Sequence, residues 1–228
     1  ASMRIFIAHQ SVGNNILEGV KQLASTSGVP IRIVETTTRS EVPPSSLGHT
    51  RIGENGKPYG KLKSFDAAIG AAHMGREIVM MKFCYVDFST ETDAKKLFSN
   101  YVSTINEIKR RNPELTIVHA TVPLTDVQTG LKTHLKQLLG RPAYGVVENQ
   151  RREEYNSLLR QAFGGSEPVF DIARVESTTL DGSTATTSWR NQNVRKLATI
   201  YTDDGSHLNV EGRQIAAREL IRVLAQIR

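Results

Sequence analysis

The chain holds a single cysteine, Cys84, in 228 residues. One thiol excludes an internal disulfide, and the lack of any CxxC pair excludes a thiolate zinc finger. Aromatic residues are few, 6% of the chain, and no RNP-like or zinc-finger pattern accompanies them. No apolar run approaches the ~18 residues of a membrane span. GxxxxGK[ST] is missing, so a phosphate-binding loop has only Gly13 in its favour. His9, His49, His73, His119 and His134 show no HExxH or comparable ligand spacing, and neither a metal nor another cofactor is expected.

What is present describes an ordinary folded chain. With 39% hydrophobic and 23% charged residues it is too apolar to be disordered. At this length folding buries roughly 70% of the extended-chain surface, so no metal or disulfide staple is required. The net charge of +6, from 29 basic and 23 acidic residues, invites a nucleic-acid reading. The basic residues are scattered, however, and the densest groups, Lys109-Arg110-Arg111 and Arg151-Arg152, lie in helix-like stretches beside glutamates. A solvated face with mild attraction for anions is the expectation, and no nucleic-acid partner. Ala1 and Ser2 read as a cleavage scar ahead of a start methionine, Met3. Strand-like sequence follows at once with no signal segment, so a cytoplasmic location is the simpler expectation; a secreted protein with its leader removed is the other.

Strand-like and helix-like segments alternate. Arg4–Ala8 is a short apolar run, followed by a helical stripe of Ile16, Leu17, Val20, Leu23 and Ala24. Ile31–Val34 reads as a second strand, 37–60 as a long loop, and Lys61–Ala72 as a helix. Glu77–Phe88 reads as a long central strand. Thr90 and Asp93 have capping-box spacing at the head of a helix over Glu91–Arg111, which Asn112-Pro113 stops. Leu115–Ala120 and Val169–Val175 read as strands, with 129–163 mainly helical between them. Ser177–Asn193 reads as a loop carrying the only tryptophan, Trp189, and a last helix starts near Val210. No repeat or linker divides residues 3–228, so one domain is expected. Alternation of this kind predicts a three-layer α/β/α sandwich with about five mostly parallel strands. In such sheets ligands bind beyond the carboxyl ends of the strands.

Two segments at such ends carry chemistry. Ser11 follows the first strand at a strand-to-helix turn, where free backbone N–H groups point at the same spot; alone it could equally be a helix cap. Asp204-Gly205-Ser206-His207 precedes the last helix. A carboxylate three residues before a histidine can orient the imidazole while that ring takes a proton from a nucleophile; alone, the pair could be a cap and a surface histidine. Lys82 and Asp87 bracket the end of the middle strand and need partners if buried. Asp171 and Glu176 suit a structural ion pair or a helix cap. Cys84, within an apolar run, suits packing rather than nucleophilic chemistry.

Taken together, His9-Gln10-Ser11-Val12-Gly13, Phe83-Cys84-Tyr85-Val86-Asp87 and Asp203-Asp204-Gly205-Ser206-His207-Leu208-Asn209 resemble the SGNH/GDSL hydrolase superfamily. They look like a bacterial branch in which an H-x-S-x-G turn replaces G-D-S, and the resemblance spans about residues 4–226. It implies a flavodoxin-like α/β/α fold and a metal-free serine esterase. Ser11 matches the nucleophile, His207 the general base and Asp204 its orienting carboxylate. The oxyanion hole would join the Ser11 N–H to a glycine, either Gly53 or Gly56, with Gly53 preferred. Two positions depart from the family. Val86 stands where an oxyanion-binding asparagine is usual, so Asn55, Lys61, Tyr85 or a backbone N–H substitutes, or the enzyme is slow. His9-Gln10 replaces Gly-Asp and alters the pocket rim. The resemblance therefore implies cleavage of a small carboxylic ester, such as an acetyl group on a carbohydrate, with His9, Asn55, Lys61, Tyr85 and Trp189 as pocket residues. The 37–60 and 177–193 loops are expected to wall the pocket, with Trp189 as a stacking surface for sugar. Acyl transfer at the same site, and a non-catalytic carbohydrate-binding module with a degenerate oxyanion hole, are the rival readings.

Overall fold

The computed structural model describes residues 3–71, 77–127 and 140–227. Six strands form one parallel sheet: β1 (Arg4–His9), β2 (Ile33–Glu35), β3 (Leu47–Arg51), β4 (Glu77–Met81), β5 (Thr116–Ala120) and β6 (Val169–Phe170). Their spatial order is β2-β3-β1-β4-β5-β6. Without the three-residue edge strand β2 this is the flavodoxin order, with its topological switch point beside β1. Helices α1 (Ser11–Ser27), α2 (Pro58–Ile69), α3 (Ala94–Arg111), α4 (Val146–Phe163), α5 (Ile172–Ser177) and α6 (Val210–Ala225) cover both faces.

The period of two in the strands divides the core. Phe6, Ala8, Val79, Met81 and Ile117 point to the face covered by α2, α3 and α4. Ile7, Ile78, Met80, Val118 and Ala120 point to the face covered by α1, α5 and α6. The expected sandwich is present. The register, with Ile5 opposite both Leu47 and Ile78, brings the ends of β1, β3 and β4 to one rim.

Several boundaries differ from the sequence reading, each for a local reason. The middle strand stops at Met81, and Tyr85–Asp87 forms a 3-10 turn because the Asp87 carboxylate accepts the Cys84 N–H at 2.7 Å and folds the chain back. Val169–Val175 is only two residues of strand. Asp171 then accepts the Arg174 N–H at 3.2 Å and starts α5. The 37–60 segment contains β3, whose polar sequence LGHTR hides its pairing between β1 and β2. Helix α3 begins at Ala94, capped by Asp93 rather than Thr90, through the Lys96 N–H at 2.9 Å. Helix α2 runs Pro58–Ile69 rather than Lys61–Ala72. The 177–193 excursion contributes β7 (Thr186–Trp189) of an antiparallel hairpin with β8 (Gln192–Arg195), turned by Arg190 and Asn191 at positive φ. Of the helical stretch expected over 129–163, Val146–Phe163 is helix; residues 129–139 lie outside the described residues, as do His73 and His134.

Candidate active site

Gln10, in extended conformation, separates the end of β1 from Ser11, the first residue of α1. The Gly13 and Asn14 N–H groups donate to Gln10 O at 2.8 and 3.3 Å. A Cβ at Gly13 would lie 2.3 Å from the His9 ring, so glycine alone fits beneath this turn. At the other end of the chain a Thr202–Leu208 bridge closes a turn ahead of α6. Within it Asp204 Oδ1 accepts the Ser206 N–H at 2.8 Å and the His207 N–H at 2.7 Å.

The structure brings these two ends together. His207 Nδ1 lies 2.6 Å from Asp204 Oδ2, and His207 Nε2 lies 3.1 Å from Ser11 Oγ. Hydroxyl, imidazole and carboxylate stand in series, with the ring tautomer set by the carboxylate: Nδ1 donates to Asp204 and Nε2 is left to accept from Ser11. Partial burial would raise the Asp204 pKa. Hydrogen bonds from the His207 backbone and ring and from the Ser206 backbone outweigh it and hold the carboxyl well below the usual range.

The β3–α2 loop is fastened beside Ser11. Ile52 N–H donates to His9 O at 3.0 Å, and Gln10 Nε2 donates to Ile52 O at 2.6 Å and Gly53 O at 3.1 Å. Gly53 has φ +56, and a Cβ there would press on Lys61 at 2.8 Å. Among the described residues the Ser11 and Gly53 N–H groups have no internal hydrogen-bond partner. Gly56 differs: its N–H donates to Asp87 Oδ1 at 2.9 Å. Lys61 is fully buried against Asp87, with Nζ 2.7 Å from Oδ2, and also donates to Asn55 Oδ1 at 2.9 Å. Lys61 and Asp87 thus form a buried ion pair that binds the loop to the end of β4.

His9 faces away from Ser11 toward His49, Nε2 to Nδ1 at 3.2 Å, and burial pulls its pKa down to about 4. Trp189 packs on Val127, Ala143, Val146 and Val194, with Arg190 over its ring. A cleft of about 410 Å³ opens at Asp204, walled by Tyr85, Val86, Thr125, Asp126 and Tyr144. Its lining includes neither Trp189 nor the 37–60 and 177–193 segments expected to form its walls; the 37–60 segment, with Gly53, instead lines a hollow of about 340 Å³ against α2. A separate groove of about 500 Å³ lies between the hairpin and α4 and is lined by none of Ser11, His207 and Asp204. Asp171 caps α5 and pairs with Arg160 at 2.8 Å, while Glu176 accepts the Leu124 N–H, its carboxyl pushed up to about 8 by burial.

Sequence reasoning missed Arg152, placed on a solvated face but only 1% exposed. It donates to Tyr85 O at 3.1 Å, Thr125 Oγ1 at 2.9 Å and Asn149 Oδ1 at 2.5 Å. The signal was the spacing of Asn149, Arg152 and Asn156, three buried polar residues on one face of α4.

Solved structures share this arrangement of elements. A GDSL-like lipase from Bacteroides thetaiotaomicron superposes with a TM-score of 0.57 at 11% identity, covering 100% of this chain and 89% of its own. A carbohydrate esterase of family 3 from Talaromyces cellulolyticus gives 0.56 at 13%, covering 100% and 98%. A lipolytic G-D-S-L family protein from Veillonella parvula gives 0.52 at 11%, covering 99% and 100%. This chain has the SGNH hydrolase fold. No protein-family model matches it, and no curated protein does. Within the SGNH fold Ser11 and His207 occupy the carboxyl rim of the sheet, where the topology rule places ligands.

Proposed function

We propose that this chain is a serine ester hydrolase that cleaves a small carboxylic ester through an acyl-enzyme on Ser11. The observation that carries the proposal is the Ser11–His207–Asp204 series at 3.1 and 2.6 Å, assembled from residues 196 positions apart. His207 Nε2 takes the Ser11 proton as Oγ attacks the acyl carbon. The resulting oxyanion rests on the Ser11 and Gly53 N–H groups, and the alcohol leaves with the proton from His207. Water, deprotonated by His207, then attacks the acyl-enzyme and releases the acid. Gly53 is preferred to Gly56 because the Gly56 N–H is already given to Asp87.

The His207 and Asp204 side chains are 38% and 53% exposed. Water therefore reaches the base directly and can serve as the acyl acceptor. The cleft beside Asp204, with Tyr85, Tyr144 and polar walls, suits the alcohol portion of an acylated carbohydrate, and an O-acetyl sugar is the substrate class we favour. Val86 supplies no donor, so turnover below that of a three-donor oxyanion hole is expected, by roughly 10²–10³.

The test is a panel of p-nitrophenyl esters of increasing chain length with wild type and Ser11→Ala. The proposal expects hydrolysis, fastest for short chains, that Ser11→Ala abolishes. Equal turnover by both proteins would refute it. A wild type that hydrolyses none of the esters and resists labelling by a fluorophosphonate, yet binds a glycan, would favour the binding-module reading, which Val86 motivates.

A further inference from the structure

The Asp204 and His207 side chains are 53% and 38% exposed, and a half-exposed imidazole has rotamers to lose. Asp204 itself is fixed, since its Oδ1 accepts two backbone N–H groups of its own turn. The His207 ring has no such backbone anchor. Among the described residues its one aromatic neighbour is Tyr85, which meets it edge-on with ring centroids 5.9 Å apart and planes at 78°. This T-shaped geometry is the favoured aromatic arrangement.

Tyr85 is itself held by a second contact. The Arg152 guanidinium lies 5.7 Å from the Tyr85 ring centroid, over its face, while Arg152 Nε donates to Tyr85 O. Arg152 is almost wholly buried, and among the described residues no carboxylate lies within ion-pair distance of it. A buried cation without an anionic partner is expensive. Here the guanidinium instead faces the Tyr85 π-system and the oxygens of Tyr85, Thr125 and Asn149.

We propose that Tyr85, clamped by Arg152, is the positioning residue of this site, holding the His207 imidazole in line with Ser11. This rests on the esterase reading above. The ring does the holding through its edge-on contact with the imidazole, and Arg152 keeps the ring in place. In this arrangement the aromatic wall does for the exposed imidazole what burial would otherwise do. The effect should therefore appear in the reactivity of Ser11 itself, with or without an alcohol group in the cleft.

The experiment compares wild type, Tyr85→Phe and Tyr85→Ala, with Arg152→Lys as a second route. Two readouts are taken: kcat and KM on a short p-nitrophenyl ester, and the rate of covalent labelling by a small fluorophosphonate. Tyr85→Ala should lower kcat and the labelling rate together, by about 10- to 100-fold, beyond any change in KM from the lost cleft wall. Tyr85→Phe, which keeps the ring, should lose far less of the labelling rate than Tyr85→Ala, and Arg152→Lys should show the paired loss in milder form. Thermal melting identifies any variant that fails to fold, and Tyr85→Phe keeps the test decisive if Tyr85→Ala does. A raised KM with normal labelling would overturn the proposal, making Tyr85 a substrate contact. A Tyr85→Phe protein as slow as Tyr85→Ala would also overturn it, moving the role to the hydroxyl. Wild type that resists the fluorophosphonate would instead sink the esterase reading.

Discussion

Burial of His9 makes a quantitative claim about acid stability. Its ring is fully buried beside Gly13, and desolvation draws its pKa from 6.5 to about 4, against the hydrogen bond to Gln10 O. The unfolded chain therefore binds a proton that the folded chain refuses. Stability from this group is complete above about pH 6.5, declines as pH falls, and is gone below about pH 4. With 1.36 kcal/mol per pK unit, the loss is about 2 kcal/mol by pH 5 and about 3 kcal/mol by pH 4. Other groups shift with pH too: His119 is likewise held at about 4 by burial, and Glu176, raised to about 8, acts with opposite sign. Comparing wild type with His9→Gln cancels the contributions of groups that do not touch His9. Urea unfolding at pH 8 and pH 5 is the assay, and only the difference of differences is read, since the substitution also alters packing. Wild type should lose about 2 kcal/mol more than His9→Gln on going to pH 5. If the two proteins lose the same stability within about 0.5 kcal/mol, the buried neutral imidazole is not what the structure implies.

Other outcomes follow from the same geometry. Ser11→Ala and His207→Ala should each reduce ester turnover by several orders of magnitude, and the double variant should be little worse, because the group acts as a unit; initial-rate assays check this. Val86→Asn should raise kcat by about tenfold or more if the oxyanion hole lacks a donor, and an unchanged kcat would mean that the hole is already complete. Lys61→Met strands the Asp87 carboxylate at 0% side-chain exposure and should cost about 3–5 kcal/mol in chemical denaturation. Tyr155→Phe removes a buried hydroxyl that has no hydrogen-bond partner among the described residues, so it should be neutral or stabilising by up to about 1 kcal/mol; a large loss in melting temperature would contradict that.

Much of the fold was legible because its signals are local. Helix α6 starts where Asn209 accepts the Gly212 N–H at 3.1 Å, and the apolar runs of β1, β4 and β5 announce strands buried on both faces. The errors fall where tertiary contacts overrule local pattern. Strand β3 is too polar to recognise and exists because β1 and β2 supply its partners. The apolar run after Met81 reads as more strand until Asp87, fixed by Lys61, turns it. The site was half legible: the sequence order of Ser11 and Asp204-x-x-His207 suggested the triad, but no sequence rule placed Arg152 behind Tyr85. Trp189, the more conspicuous aromatic, belongs to a hairpin core instead.

The central claim is that Ser11 becomes acylated. Mixing the protein with a short activated ester, quenching in acid within the first turnovers and weighing the intact chain tests it most directly. The account predicts a species heavier by one acyl group, mapped to the peptide bearing Ser11 and missing from His207→Ala. An acyl group carried on another residue, or ester cleavage with the chain never modified, would contradict it.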